Sequence, residues 1–223
     1  MFRLSVYLDR FAASMVALHL DLAMTRAAIQ FALTQIVAAT GLHNILVAMV
    51  CSQGAPTIAG SCDPRHCRNF FYVQCVPYVQ VMSPEVVAKG ASDSLAQSVW
   101  RIPDGSVDPI VKNYHWGDFT NGLFDAKDAG FEALILTDTG RNITEGPGFS
   151  VFAFKHGKLF TSWHGVLSGI IHRTVLEIAT ELGLQVDIRP VPHTVFLDAD
   201  DVFISSFAGG HIPIVKVDET VFV

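Results

Sequence analysis

Apolar residues in the segment Met24 to Ala39 recur at helical spacing, with Ile29, Leu33, Ile36 and Val37 on one side, Thr25 placed to cap the start and Gly41 placed to stop the end. The apolar run from Ile45 to Cys51 is continuous rather than alternating, which predicts a strand covered on both faces. Residues 53–68, rich in Gly, Pro, Ser and Cys, predict a loop before a second strand over Phe70 to Val76. Further on, the pattern predicts a helix over Trp116 to Ala129, a strand over Ala133 to Thr137, and a hairpin of Phe149 to Phe154 with Lys158 to Thr161 across His156-Gly157. Ser168 to Leu182 gives the clearest helical period, with Ile171, Val175, Ile178 and Leu182 on one face and Gly183 just past the end. Strands over Val202 to Ser205 and Ile212 to Val217 complete the set. Strand-rich lobes with a few helices predict an α+β fold with a mixed sheet. The stretch from Ile102 to Pro109 has the composition of a linker. The expected division is therefore a small N-terminal α/β domain over 1–102, a linker over 103–109, and a larger strand-rich domain over 110–223.

Composition narrows the partners. The chain has 223 residues, half of them hydrophobic, and a net charge of −6 with no run of Lys or Arg. That is enough apolar material for two modest cores, and it lacks the basic footprint of a nucleic-acid binder. Between Ala27 and Cys62 no charged residue occurs, but Gln30, Thr34, Gln35, His43 and Asn44 interrupt the apolar character, so no membrane span is expected. Met-Phe-Arg-Leu at the start carries no targeting pattern, which points to a cytoplasmic protein. Cys51, Cys62, Cys67 and Cys75 cluster around His66 without a second ligand pair at zinc spacing; they read as mostly buried free thiols in a reducing compartment, with no metal.

Chemistry concentrates in the second half. Lys112 is one of only six lysines and stands beside Tyr114, His115 and Trp116, where desolvation would supply a neutral, nucleophilic amine. Glu145 follows 33 residues later in a turn of small residues, where a carboxylate can approach a flat ring edge-on. Gly165-Val-Leu-Ser-Gly169 leads into the strong helix, so the amides of Ile170 and Ile171 should lie at its positive end, a ready place for a phosphate.

The motifs Val-Lys112-Asn-x-x-Trp116-Gly-Asp, Thr144-Glu-Gly-Pro-Gly-Phe149, Gly165-Val-Leu-x-Gly-Ile170 with Arg173-Thr-Val, and Ala208-Gly-Gly-x-x-Pro213 occur in this order. In them the stretch from about Val107 to Val217 resembles the fold-type IV pyridoxal-phosphate enzymes, the class IV aminotransferases. Within that family, Asp-Pro-x-Val-Lys-Asn and Pro77-Tyr-Val are similar to the branched-chain and (R)-amine transaminase branch.

The resemblance implies pyridoxal 5'-phosphate as cofactor, an amino donor and a 2-oxo acid as partners, and a homodimer. It implies Lys112 as the Schiff-base lysine and proton shuttle, Glu145 as partner of the pyridine nitrogen, and Leu167 against a ring face. Ile170 and Ile171 would offer amides to the phosphate and Ser206 a hydroxyl. Arg10, closing Phe2-Arg-Leu-x-x-Tyr-Leu-Asp-Arg10, would grip the phosphate, while Trp116, Phe207 and Ala208 would line the substrate pocket.

Three positions depart from the family pattern. Ile171 and Phe207 stand where Thr is common, and Ser150 where Asn is usual. Against that pattern the chain is also expected to open inside the small domain and to stop short of a further C-terminal region. A family member that has kept the fold but lost activity, and an aminodeoxychorismate-type lyase, are the alternatives that these departures and the shared lysine keep open.

Overall fold

The computed structural model describes residues 1–222, and contacts within the chain divide it into two units, Met1–Val79 and Gln80–Val223, of which Val223 lies outside the described residues. In the first unit, helix α1 (Leu4–Ala17) precedes α2 (Arg26–Thr40). Thr25 caps α2 as its position predicts, its hydroxyl accepting from the Ala28 amide at 3.2 Å, and Gly41 ends it in the left-handed region at φ 65°. Strands β1 (Ile45–Ser52) and β2 (Phe70–Pro77) pair antiparallel from Ile45↔Pro77 to Ser52↔Phe70. Leu8, Ile29 and Leu33 form the buried centre, with Val47, Met49, Phe71 and Val73 packed against it.

Two expectations change here. Strand β1 is not covered on both faces: it pairs with β2 alone, and Val50 is its one buried residue. Its unbroken apolar run reflects a short ribbon with one sheltered face rather than a central strand. The four thiols are free as expected, but they are not buried, since Cys62 is exposed and the other three are half-buried in or beside this ribbon.

The second unit begins with α3 (Pro84–Lys89) and β3 (Ala91–Leu95). There follow α4 (Gly117–Asp128), β4 (Ala133–Ile135), β5 (Asn142–Ile143), β6 (Glu145–Gly146), β7 (Phe149–Lys155) and β8 (Lys158–Thr161). The rest is α5 (Ile170–Glu181), β9 (Gln185–Ile188), β10 (Val191–Pro192), α6 (His193–Leu197), β11 (Asp201–Ser206), β12 (Gly210–Val217) and β13 (Thr220–Val221). One mixed sheet runs β4-β3-β12-β11-β7-β8-β9, with β13 added to β12 and β6 to β7. The β12–β3, β3–β4 and β8–β9 pairs are parallel and the others antiparallel.

Chain division therefore falls earlier than the 103–109 linker suggests. Strand β3 lies between β12 and β4, so residues 80–102 already belong to the large sheet. The 103–109 stretch is irregular, as its Pro, Gly and Asp content dictates, but it is a loop of the second unit whose Pro109 is buried.

Strand β7 explains how the sheet holds two cores. Successive side chains point to opposite faces: Phe149, Val151 and Ala153 join Ile204, Ile212 and Ile214 on one side, whereas Phe152 joins Leu159, Val175 and Ala179 under α5 on the other. Phe152 is fully buried and stacks between Phe203 and His172, both with ring centroids at 4.9 Å. Phe152→Ala should therefore cost about 3–5 kcal/mol of stability, read as a drop in the denaturation midpoint.

Helix α5 presents a different face from the one its hydropathy predicts. Ile170, His172, Val175 and Ala179 are buried, while Ile178 and Leu182 are 44% and 72% exposed. The small Ala179 allows close approach to the strands. His172 is held there by a 2.9 Å hydrogen bond between its Nε2 and the Thr161 hydroxyl and by its stack on Phe152. A hydropathy period takes no account of such partners. Burial lowers the His172 pKa to about 4, so the ring is neutral in the core.

Asp93 on β3 is a second buried polar group, fully enclosed, with neither carboxylate oxygen hydrogen-bonded among the described residues. Burial, and then the charge of Glu132, raise its pKa to about 7, only partly offset by Lys127 and the nearby Ala133 amide. A carboxyl whose folded pKa lies above its ordinary 3.8 stabilises the fold below about pH 4 and loses that contribution as pH rises through 7. Asp93→Asn should accordingly raise the melting temperature at pH 8 and leave it nearly unchanged at pH 4. Equal shifts at both pH values would contradict this account.

Candidate active site

The turn that carries Glu145 is shaped by its glycines. A Cβ at Gly146 would lie 2.1 Å from the Phe149 ring and 2.6 Å from the Leu134 carbonyl oxygen, and Gly148 takes φ 85°, where side chains are strained. With Pro147 between them, these residues reverse the chain so that β6 folds back on β7. Glu145 then pairs with Ser150, which in turn pairs with Ser205 on β11. Directly paired residues share a sheet face, so Glu145, Ser150 and Ser205 form one polar row across three strands. All three are buried, and the Ser205 hydroxyl has no partner among the described residues.

Helix α5 starts beside this row. A Cβ on its N-cap, Gly169, would stand 3.2 Å from the Ser150 hydroxyl. Among the described residues no side chain caps the helix, and no acidic residue occupies its first turn. The first amides, those of Ile170 and Ile171, therefore face the positive end of the dipole without an internal acceptor.

Glu145 is held from both sides. Its Oε2 accepts from the Leu167 amide at 3.1 Å, and its Oε1 lies 3.1 Å from both Nε and Nη2 of Arg101. Burial raises the Glu145 pKa to about 6, against the opposing effects of Arg101, the Leu167 amide and Lys112. Arg101, itself buried, also reaches Asp118 through Nη1 at 2.7 Å, and its guanidinium sits 4.5 Å from the centre of the Phe119 ring. Sequence reasoning missed Arg101. The only signal was Asp118 in Trp-Gly-Asp: an acidic residue in the first turn of a helix whose Phe119 is core invites a cation beside it.

Lys112 lies in the irregular segment before α4, in the same unit as Glu145 and near enough for its charge to act on that carboxylate. The expected desolvation is not provided by its aromatic neighbours, because Lys112 is exposed and Tyr114 and Trp116 are 75% and 38% exposed. The backbone holds this segment in turns: Val111 donates to Asp108, Asn113 to Val111, and His115 to Asn113. Trp116 packs edge-on against Phe119 at 5.5 Å.

The remaining expected residues are distributed as follows. Leu167 is half-buried, and its amide engages Glu145. The Ser206 hydroxyl donates to the Gly148 carbonyl at 2.8 Å and accepts from the Ala208 amide at 3.1 Å, so it secures the β11–β12 turn to the Glu145 turn. The Ala208 carbonyl accepts from Val81, and Phe207 is 53% exposed. Arg10 belongs to the first unit, on α1, with its guanidinium 5.3 Å from the centre of the Tyr7 ring. Among the described residues no group of His, Cys, Asp and Glu side chains could hold a metal ion, and no helix is long and apolar enough to cross a membrane.

These features fit an anionic, planar, nitrogen-containing cofactor. They offer uncapped amides for a phosphate and a buried carboxylate with lone pairs left for a ring N–H. An unpartnered hydroxyl and an amine complete the same unit.

Comparison with known proteins agrees in kind. The family described as "Amino-transferase class IV" matches residues 1–217. A Methanocaldococcus jannaschii protein named "Putative branched-chain-amino-acid aminotransferase" is 24% identical over 219 residues, covering 97% of this chain and 74% of that protein. The structure of the branched-chain aminotransferase from Thermoproteus uzoniensis with norvaline superposes at TM-score 0.90 with 22% identity, over 100% of this chain and 74% of the other. The branched-chain amino acid aminotransferase from Escherichia coli superposes at 0.84 with 20% identity, covering 96% and 70%.

Proposed function

The chain belongs to the class IV aminotransferases, a pyridoxal-phosphate-dependent family, and on that premise we propose that it transfers the amino group of a branched-chain amino acid to a 2-oxo acid, using Lys112 and Glu145. The observation that carries this reading is the buried Glu145 carboxylate, aimed by Arg101 and the Leu167 amide, in one unit with Lys112 and the uncapped start of α5.

When bound, pyridoxal 5'-phosphate supplies an electrophilic carbon for the amine and a ring that takes up the electron pair released at the substrate carbon. The chain's own residues do the rest. The Glu145 carboxylate would hold the proton of the ring nitrogen, and its low-dielectric surroundings would make that charge-assisted hydrogen bond strong. The Ile170 and Ile171 amides would bind phosphate oxygens, with the helix dipole favouring the negative charge. Lys112 Nζ would anchor the cofactor in the resting chain and would hold and return the proton at the substrate carbon. Its position on an exposed, turn-rich segment gives the amine room to move between these tasks. Ser206, through Gly148, keeps the β11–β12 turn and the Glu145 turn in register, which would hold Phe207 and Ala208 at a fixed place beside the substrate. The bulk of Phe207 would favour a compact side chain in the donor.

Leucine, isoleucine or valine with 2-oxoglutarate should therefore give glutamate and the matching branched 2-oxo acid after the chain is loaded with cofactor. Failure of all three donors while a chromophore is bound would reject the branched-chain assignment. Pyruvate released from an aminodeoxychorismate-like substrate without any acceptor would place the chemistry with elimination instead. A homodimer in the cytoplasm completes the reading. Four free cysteines support a reducing compartment, and sedimentation at twice the mass of 24.3 kDa would support the dimer.

A further inference from the structure

Arg101 takes no part in the proton and cofactor chemistry above beyond its contact with Glu145, yet its side chain is 7% exposed and is flanked by two buried carboxylates. We propose that Arg101 is the positioning residue of this site: it fixes the direction of the Glu145 carboxylate and, through Asp118, ties that carboxylate to the base of the loop that carries Lys112. The inference rests on the reading of Lys112 and Glu145 as the reacting and ring-binding groups.

Geometry carries it. Arg101 and Ile102 enter the loop, and Asp118, in the first turn of α4, leaves it. One Asp118 oxygen accepts from both Arg101 Nη1 at 2.7 Å and the Ile102 amide at 2.9 Å, closing the loop at its base with Lys112 inside. From the same guanidinium, Nε and Nη2 meet Glu145 Oε1. A guanidinium is planar and its donors diverge at fixed angles, so seating one carboxylate dictates where the other must be. Phe119 beneath the guanidinium face, at 4.5 Å, removes the remaining freedom to tilt. Arg101 is further pinned at its backbone, where its amide donates to Thr137 at 2.8 Å.

Charge balance points the same way. Two carboxylates around one guanidinium leave a net single negative charge, which a protonated ring nitrogen would neutralise. Were Arg101 paired with Glu145 alone, that negative charge would already be cancelled. Lys112 is the other charged group acting on Glu145. A desolvated triad of this kind adds little to stability compared with an apolar replacement, and its value lies in specifying one arrangement.

The test uses the whole chain and three variants, Arg101→Gln, Arg101→Lys and Asp118→Asn. It has three readouts: pyridoxal-phosphate affinity from visible absorbance, the pH midpoint of that absorbance, and hydrogen exchange of residues 102–118 in the cofactor-free chain. Arg101→Gln should weaken cofactor binding about tenfold or more and move the midpoint by about one pH unit. Arg101→Lys should bring the midpoint back towards wild type by restoring the charge, without restoring affinity, because an ammonium lacks the fork. Asp118→Asn should speed exchange across 102–118 about tenfold while leaving α5 unchanged. If Arg101→Gln fails to fold, the other two variants decide the matter. Wild-type affinity, midpoint and exchange in those variants would overturn the proposal. A wild-type chain that binds no chromophore would reject the Lys112–Glu145 reading instead, and unchanged exchange in Asp118→Asn would then reject the clamp separately.

Discussion

Lys112→Ala is expected to abolish the visible absorbance of the cofactor-loaded chain and to lower transamination by at least about three orders of magnitude. The effect would be large because, on the proposed reading, one amine performs two tasks, anchoring the cofactor and moving the substrate-carbon proton, and no second lysine shares its setting. The five others fall at 89, 127, 155, 158 and 216. All are engaged elsewhere: Lys89 pairs with Glu132, Lys155 with Asp198, Lys158 with Asp187 and Lys216 with Glu219, while Lys127 donates to the Glu132 carbonyl. Stability should barely change, since Lys112 is exposed. A variant that melts like wild type and yet carries no chromophore is thus the expected pairing of results, measured by absorbance and by thermal denaturation on the same sample.

Glu145 is expected to separate catalysis from folding. Glu145→Gln keeps the shape and much of the hydrogen bonding but cannot hold the ring-nitrogen proton, so turnover should fall about a hundredfold with a smaller change in stability. Glu145→Ala removes the carboxylate altogether and leaves the buried guanidinium of Arg101 with Asp118 as its remaining carboxylate partner. Arg101 Nε and Nη2 and the Leu167 amide then lose their buried acceptor, and at about 1–3 kcal/mol for each donor left unpaired, offset by the relief of burying one carboxylate fewer, the loss is about 3–5 kcal/mol. For a chain of this size that is roughly a 10 °C fall in melting temperature. Steady-state kinetics on the Gln variant and calorimetry on the Ala variant read the two effects apart. Equal melting temperatures for wild type and Glu145→Ala would mean that the ionic cluster does not hold the site together.

What the sequence made legible was local. The cap at Thr25, the stops at Gly41 and Gly183, the hairpin at His156-Gly157 and the strands on either side of Phe207 to Gly210 follow from short-range rules, and the structure has each of them. Non-local facts stayed hidden. Strand β3, Ala-Ser-Asp-Ser-Leu, has the composition of a loop and becomes a strand because β12 and β4 pair with it on both sides. That hidden strand is also why the unit boundary falls at Val79 and not near Pro103. The buried face of α5 departs from its apolar stripe because His172 is satisfied by Thr161 and Phe152, partners from another part of the chain.

The site divides along the same line. Lys112 and Glu145 stand in motifs that resemble those of the family, and it is that resemblance, rather than residue chemistry alone, that singles them out. Arg101 follows a tryptophan in an ordinary stretch and acquires meaning only when the fold brings Asp118 and Glu145 to either side of it. Exposure of Tyr114 and Trp116 was equally invisible, since aromatic neighbours in sequence do not guarantee burial.

The most direct test of the central claim is chemical. The purified chain is loaded with pyridoxal 5'-phosphate, reduced with borohydride, digested and mapped by mass spectrometry. A phosphopyridoxyl group on the Lys112 peptide alone is the predicted result, and a label absent from Lys112, or spread over the other lysines, would contradict it.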